Sequence, residues 1–373
     1  MLGNRGMIST PPKLRILWLN WRDIRNPEAG GAEVFTHEVA KRLVKMSWNV
    51  TLFTSMFPGA RPEEDFDGVE IVRRGGRFTV YSRAKDYCRK FVDDFDVVVD
   101  EINTRPFLTP KYVKSRPILA LIHQLAREYW FYETPWPLSW LGYYYLEKSW
   151  LSRYSRVCTI TVSESTRKDL VDWGFTDLRV VPEGLSVPVA EVEVQKDETP
   201  LLLFVGRLKR VKKPDDAINA FRIVRTKIPD ARLMVVGDGY MRPKLERIAP
   251  AGVTFAGRIE DSIKIELMTR AHILLFPAVR EGWGLTITEA NARQTPAVAY
   301  DVPGVRDSVV HGQTGILVPA GDINAMADES MRLLTEQSHR NCLAVRAKEH
   351  AKTHNWDCTA GLFSEYLRQT IPL

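Results

Sequence analysis

The chain is 373 residues long, 45% hydrophobic and 26% charged, with a net charge of +6 at pH 7. That length exceeds one hydrophobic core and predicts two domains, and the composition is that of a soluble globular protein. The four scattered cysteines, Cys88, Cys158, Cys342 and Cys358, form no C-x-x-C pair, which argues against a disulfide framework or thiolate metal site and for a reducing cytoplasm.

Residues 1–13, MLGNRGMISTPPK, lack the apolar core of a signal peptide, and no stretch of bilayer-spanning length is without charged and polar residues. Short apolar runs then recur: LRILWLN (14–20), NVTLFTS (49–55), VEIVRR (69–74), DVVVDEI (96–102), ILALIH (118–123), VCTITVS (157–163) and LRVVPEG (178–184). Helix-like stretches lie between several of them; in AEVFTHEVAKRLVK, Phe35, Val39 and Leu43 fall on one face. Near-continuous apolar strands alternating with helices predict a parallel sheet covered on both sides.

The polar, acidic segment SVPVAEVEVQKDET (186–199) breaks this rhythm and reads as a linker. A second series follows: PLLLFVG (200–206), ARLMVVG (231–237), VTFAG (253–257), HILLFPA (272–278), PAVAYD (296–301) and TGILVP (314–319), and the text is helical past residue 322. The expected fold class is therefore α/β, with two doubly wound Rossmann-like domains facing across a cleft.

Two segments stand out by composition. Residues 73–90 hold Arg73, Arg74, Arg77, Arg83, Lys85, Arg89 and Lys90 against Asp86 alone, a local excess of +6 that equals the excess of the whole chain. Such a run is a solvated face or an anion-binding patch; no stacking module or reading helix accompanies it, so nucleic acid is not an expected partner. The stretch YWFYETPWPLSWLGYYYLEKSW (129–150) is dense in tryptophan and tyrosine. Amphipathic aromatics of this kind collect at membrane interfaces; they also fill cores, with Leu138, Leu141 and Tyr145 as one candidate buried helix face.

The most informative run is REGWGLTITE (280–289), which sets Glu281 and Glu289 on either side of a glycine-containing turn, after a buried strand and before a helix. A carboxylate at the end of a buried strand, then a loop and a helix start, is where open α/β sheets bind ligands, and free helix N–H groups suit a diphosphate. Two acids beside an anion site make sense if they hold hydroxyls, which points to a sugar nucleotide. Thr286 and Glu289 also spell a T-x-x-E capping box, the alternative reading of that spacing.

Over EGWGLTITEANARQTPAVAYDVPGVRDSVVHGQTGILVPAGD the chain resembles the retaining glycosyltransferases of family 4, which have the GT-B fold. In LLLFVGRLKRVKKPDDAINAF, Arg207 and Lys212 resemble the family's G-R-L-x-x-x-K motif, whose cations embrace the donor diphosphate. Fixed cations there stabilise charge that grows as the glycosidic bond breaks, and no D-x-D motif of the metal-dependent transferases is evident in a suitable loop. Lys213 stands where the family usually has glycine, leaving open which lysine reaches the phosphate, though the spacing favours Lys212; Gln294 likewise replaces a frequent glycine before T-P.

The resemblance further implies that backbone near Arg258 and Ile259 meets the nucleobase. Gly284, Leu285 and Thr286 would present N–H groups to the diphosphate or sugar, Glu289 would hold the ribose and Glu281 the transferred sugar. In NPEAGGAEVFTHEVAKRL, Gly30 and Gly31 resemble the family's glycine loop after the first strand, and a glycine there would allow close backbone approach and a special φ angle. His123, at the end of ILALIH, resembles the histidine that orients the transferred sugar.

The expectation is thus a retaining glycosyltransferase of the hexosyltransferase type, moving a sugar from a UDP-, GDP- or ADP-linked donor with no metal and no other cofactor. His123, Glu281, Arg207 and Lys212 are its catalytic group. The acceptor is expected to be lipid-linked or phosphorylated, and the enzyme cytoplasmic, with an anionic membrane face as a candidate partner. A sugar-nucleotide epimerase of GT-B architecture is the alternative. The expected domains are 1–188 on the acceptor side, 199–356 on the nucleotide-sugar side, and a helix over 357–373 returning to the first.

Overall fold

The computed structural model describes residues 13–192 and 194–372, so the signal-peptide reading of 1–13 lies, but for Lys13, outside the described residues. Each apolar run forms a strand. The first series gives β1 (Arg15–Leu19), β2 (Asn49–Thr54), β4 (Val69–Arg73), β5 (Val97–Glu101), β6 (Ile118–Ile122), β7 (Cys158–Thr161) and β8 (Leu178–Val180). The second gives β9 (Leu201–Val205), β10 (Arg232–Val236), β11 (Val253–Gly257), β12 (Ile273–Phe276), β13 (Ala297–Tyr300) and β14 (Gly315–Val318).

One strand has no apolar run to announce it. β3 (Glu63–Phe66, EEDF) pairs antiparallel with β4, Glu63 opposite Val72 and Phe66 opposite Val69. Asp67 and Gly68 join them with φ of 54° and 79°. Positive φ at both positions is the Asp-Gly hairpin turn that matches strand twist.

The sheet orders are β3-β4-β2-β1-β5-β6-β7-β8 and β11-β10-β9-β12-β13-β14. In the second, the order runs outward from β9 in one direction and from β12 in the other, so the switch point lies between β9 and β12. Its strands pair in parallel, and β12 and β13 are buried at every position. That pattern requires cover on both faces, which is why these strands read as unbroken apolar runs.

The described residues group into two compact units, one drawn from Met1–Glu101, Phe107–Ala120 and Phe363–Leu373, the other from Ile102–Pro106 and Leu121–Leu362. In the first, Phe35, Val39 and Leu43 of the helix Gly31–Lys45 are fully buried, as their spacing predicts. Phe363 stacks on Trp18 with ring centroids 5.0 Å apart, and Trp48 donates its indole N–H to Ser364. The end of the last helix, Trp356–Thr370, thus belongs to the core of this unit.

In the second unit, residues 186–192 and 194–199 contain no helix or strand, but they are not a loose tether. Val187 and Ala190 are buried, the Ala190 amide donates to the carbonyl of Ala292, and Val187 packs with Ala292 and Ala351.

Two surface expectations change. Arg73 does not belong to a solvated basic face: it is fully buried, donating to Asp23 at 2.8 and 3.1 Å and to Glu64 at 2.8 Å. Its place on the apolar strand VEIVR turns its side chain inward. The candidate buried face of Leu138, Leu141 and Tyr145 is instead exposed, at 47%, 41% and 56%. The chain there forms a short helix, Leu138–Leu141, followed by a π-helical turn, Gly142–Leu146. What this segment buries is Trp130, whose indole N–H donates to the buried Glu147 carboxylate and whose ring lies against Gly142 so closely that a Cβ there would overlap it.

Candidate active site

The site assembles at the switch point of the second sheet, on the loops that leave β9 and β12. Just past β9, Arg207 is half-buried and its guanidinium makes no hydrogen bond or ion pair among the described residues. A tight turn over Arg210–Lys212 follows, then Lys213 with φ +50°, then the helix Pro214–Lys227, whose proline sits at the first helical position where a missing N–H costs nothing. The turn separates the two lysines. Lys212 donates to the carboxylate of Glu281, whereas the Lys213 ammonium lies 3.4 Å from Asp216. Burial is the largest influence and opposes the charge on Lys212, but Glu281 and Tyr129 together outweigh it and hold the ammonium above its ordinary pKa, with Arg207 pulling the other way.

The loop after β12 is pinned by Arg280, which is 6% exposed and bonds Glu128 at 2.8 Å and Asp169 at 2.6 Å. Gly282 follows, and a Cβ there would sit 2.9 Å from the carbonyl oxygen of His123, so only glycine lets the two backbones meet. Gly284, at φ +106°, caps the helix Leu285–Ala292. Leu285 and Thr286 are therefore its first two residues, with backbone N–H groups that have no partner within the helix. The capping-box alternative fails, because Thr286 stands inside the helix. Glu289 instead meets Lys264, 3.2 Å from each carboxylate oxygen. Burial raises the pKa of Glu289, and Lys264 partly offsets that.

His123 follows directly on β6. Its Nδ1 lies 3.6 Å from Glu183 Oε1, and its carbonyl accepts from the Thr166 hydroxyl at 3.1 Å. Glu183 is 5% exposed; burial raises its pKa and His123 opposes the rise, with the charges of Glu281 and Lys212 also felt there. Tyr129 senses Lys212, Glu281 and Arg207 as well, and burial pushes its hydroxyl pKa up. Arg258 and Ile259 leave the end of β11; Arg258 is exposed, and Ile259 is half-buried against the core of the unit.

Gly30 and Gly31 belong to the first unit. Gly30 caps the helix Gly31–Lys45 with φ −147°, and neither glycine has positive φ. The expectation of a special backbone angle is corrected, since extended φ is open to any residue. The Gly30 amide donates to Glu33 at 2.6 Å, and Arg22 holds that same buried carboxylate at 3.0 Å.

Of the residues foreseen, the second unit brings together His123, Lys212 and Glu281, with Arg207 within electrostatic reach; Glu289 stands on the helix that follows. Glu183, Arg280, Lys264 and Tyr129 were not foreseen. Arg280 had a signal, a cation abutting a glycine-rich loop. Glu183 and Lys264 had none, because each acts only through a partner distant in sequence.

Two family profiles divide the chain: "Glycosyltransferase Family 4" matches residues 29–187 and "Glycosyl transferases group 1" matches residues 189–350. The chain belongs to glycosyltransferase family 4. The D-inositol 3-phosphate glycosyltransferase of Corynebacterium urealyticum is 32% identical over 183 residues, 45% of this chain and 43% of that protein. The N-acetyl-alpha-D-glucosaminyl L-malate synthase of Bacillus anthracis is 31% identical over 155 residues, 40% of each. The matched region spans about half the length of the curated relatives, 43% to 54% among those of Corynebacterium urealyticum, Nocardiopsis dassonvillei and Bacillus subtilis. Among solved structures, sucrose-phosphate synthase from Thermosynechococcus elongatus is similar over 96% of this chain and 99% of its own, with TM-score 0.76 and 20% identity. Anabaena HepE, solved in complex with UDP-glucose, covers 95% and 100% with TM-score 0.74 and 16% identity. The fold of this family 4 member is GT-B.

Proposed function

We propose that this protein is a retaining, metal-independent glycosyltransferase that moves a hexose from a nucleoside-diphosphate sugar to an acceptor. The observation that carries the reading is the meeting of Lys212 with Glu281 at the switch point between β9 and β12, with Arg207 beside them. A sheet of this order binds ligands at that point. There, two cations and the free N–H groups of Leu285 and Thr286 suit a diphosphate, while Glu281 and Glu289 suit hydroxyls.

In this scheme Arg207 and Lys212 balance charge that develops on the leaving diphosphate, which differential binding turns into rate. His123, steadied by Glu183, orients the transferred sugar, and the donor phosphate itself takes the acceptor proton. Arg258 and Ile259 flank the base. We assign residues 1–188 to the acceptor side, 199–356 to the donor side, and 357–373 to the returning helix. The UDP-glucose bound in the HepE structure makes a uridine donor the first choice.

The acceptor is proposed to be lipid-linked or phosphorylated, and the enzyme to work at the cytoplasmic face of a membrane. No helix among the described residues is long and apolar enough to cross a bilayer. Supporting a surface attachment, Trp136, Trp140, Tyr144 and Tyr145 are 82%, 47%, 53% and 56% exposed on one short segment. Amphipathic rings so displayed favour a membrane interface.

The test is incubation with UDP-, GDP- and ADP-sugars and a membrane extract in excess EDTA, followed by mass analysis of lipids and donor. Sugar appearing on an acceptor, with the anomeric configuration kept, supports the reading. An isomerised donor without transfer would identify the epimerase alternative.

A further inference from the structure

A second cavity, of about 560 Å³, lies at the opposite end of the strands that carry the donor loops. It is lined by His272, which precedes β12, by Lys196 and its neighbours in the segment before β9, and by Arg340 and Lys348 of the helix Gln337–Lys352. Nothing in the proposed transfer reaction uses these groups.

Their chemistry is one-sided. Arg340 is 8% exposed, and it donates through Nη1 to the carbonyls of Leu333 and Leu334, at 2.8 and 3.3 Å, where the helix Ile323–Thr335 ends. Its Nε and Nη2 meet no partner, and no carboxylate pairs with it, among the described residues. His272 is 7% exposed and accepts from the Leu201 amide through Nδ1 at 3.1 Å, so the neutral ring carries its proton on Nε2, which meets no protein partner among the described residues. Lys196 holds the Thr269 and Arg293 carbonyls and the Thr295 hydroxyl at 3.0, 3.4 and 2.7 Å. Two carboxylates also line the cavity. Asp197 is committed to Arg232 and Arg270, at 2.8 and 2.7 Å, and Glu198 is exposed.

A guanidinium this buried normally has an acid beside it, because desolvating an unpaired charge is costly. Here burial lowers the pKa of Arg340 unopposed. Burial and then the Arg340 charge push Lys196 down to about 7 and His272 down to about 4. The buried Arg340 and His272 therefore offer donors to the cavity, in a space of the size that small-molecule sites occupy.

We propose that this cavity is a second anion-binding site, separate from the donor site, that takes a small phosphorylated metabolite. Arg340 Nε and Nη2, His272 Nε2 and Lys348 supply the donors. The site adjoins the carboxyl end of the helix Leu285–Ala292, where Lys196 holds the Arg293 carbonyl, while the amino end of that helix bears the donor-loop amides. Occupancy would therefore reach the donor site through one rigid element.

The experiment is calorimetric titration of the full-length protein with inorganic phosphate and with a hexose monophosphate, at ionic strength held constant with chloride. One site is expected, with hexose monophosphate tighter than phosphate. Binding should persist in Arg207→Ala and weaken roughly tenfold or more in Lys348→Glu and in Arg340→Gln, as expected for loss of a charge-assisted bond. Lys348 is half-buried and touches no core cluster, so its variant decides the matter if Arg340→Gln does not fold. Undiminished binding in Lys348→Glu, loss in Arg207→Ala, equal affinity for the two ligands, or no binding below about 10 mM would each overturn the proposal.

Discussion

The Lys212 ammonium donates to the Glu281 carboxylate and so ties the loop leaving β9 to the loop leaving β12. The pair keeps the half-buried Lys212 ammonium charged; in the proposed reaction that cation would face the donor diphosphate and the carboxylate a sugar hydroxyl. Because Glu281 offsets the burial that opposes the charge on Lys212, Glu281→Gln should lower the lysine pKa. Affinity for a nucleoside diphosphate should then fade at alkaline pH earlier in the variant than in the wild type. Dissociation constants measured from pH 7 to pH 10 check this, and superimposable profiles would reject it.

Arg207 is half-buried with an uncommitted guanidinium. Its replacement by alanine should lower kcat by roughly 10²–10³-fold, the scale for removing one preorganised donor at developing charge. Donor dissociation constants should change less. A loss of affinity equal to the loss of turnover would mean that Arg207 serves binding uniformly.

Glu183 is buried and its pKa is raised, chiefly by that burial. Its folded form holds a proton more tightly than the unfolded form, so the stability this contributes is full below the unfolded pKa. It is lost as pH climbs through the folded value. Glu183→Gln lacks this loss, so its stability relative to wild type should increase between pH 4 and pH 7 in chemical denaturation. Its turnover should fall as His123 loses its partner at Nδ1. A flat stability difference would place the carboxyl in a solvated setting.

Lys213 and Gln294, which depart from the glycine expected at each position from the family resemblance, both have left-handed backbone, with φ of 50° and 59°. A side chain in that region costs about 1–2 kcal/mol, of which glycine's extra freedom when unfolded returns roughly 0.5–1. Lys213→Gly and Gln294→Gly should each stabilise the protein by up to about 1 kcal/mol, read as a higher midpoint in thermal denaturation. A lower midpoint would show that the Lys213–Asp216 pair and the bond from Gln294 to the Val192 carbonyl outweigh the strain.

Trp136→Ser combined with Trp140→Ser should weaken binding to anionic liposomes tenfold or more, given roughly 1.5–3 kcal/mol for burying a large apolar side chain. Arg77→Gln should weaken it further, since Arg77 is exposed. Arg73→Ala should act differently, unfolding the protein by about 3–5 kcal/mol because it strands the buried Asp23. Liposome flotation and urea denaturation separate the two effects; unaltered flotation of the double tryptophan variant would leave the aromatic segment without a membrane role.

Strands were readable one by one because burial on both faces selects unbroken apolar runs, and the glycine-rich loop after HILLFPA was readable because close approach and positive φ exclude other residues. Composition also marked the aromatic segment, but not which rings turn inward: Trp130 is buried against Gly142 and Glu147 while Trp136, six residues on, is 82% exposed. β3 carries no apolar signal because an edge strand of EEDF buries little. Arg73 read as surface charge because nothing local reveals Asp23, fifty residues away.

Local pattern records how much of each segment must leave water, and from that the two α/β sheets and the loops at their strand ends follow. It carries no record of which charge will neutralise which. Lys212 with Glu281, Lys264 with Glu289 and Glu183 with His123 are partners set by chain crossings at strand ends. Such choices arise only when distant segments share one low-dielectric space, where an unmatched ion is costly and a matched one is held in place.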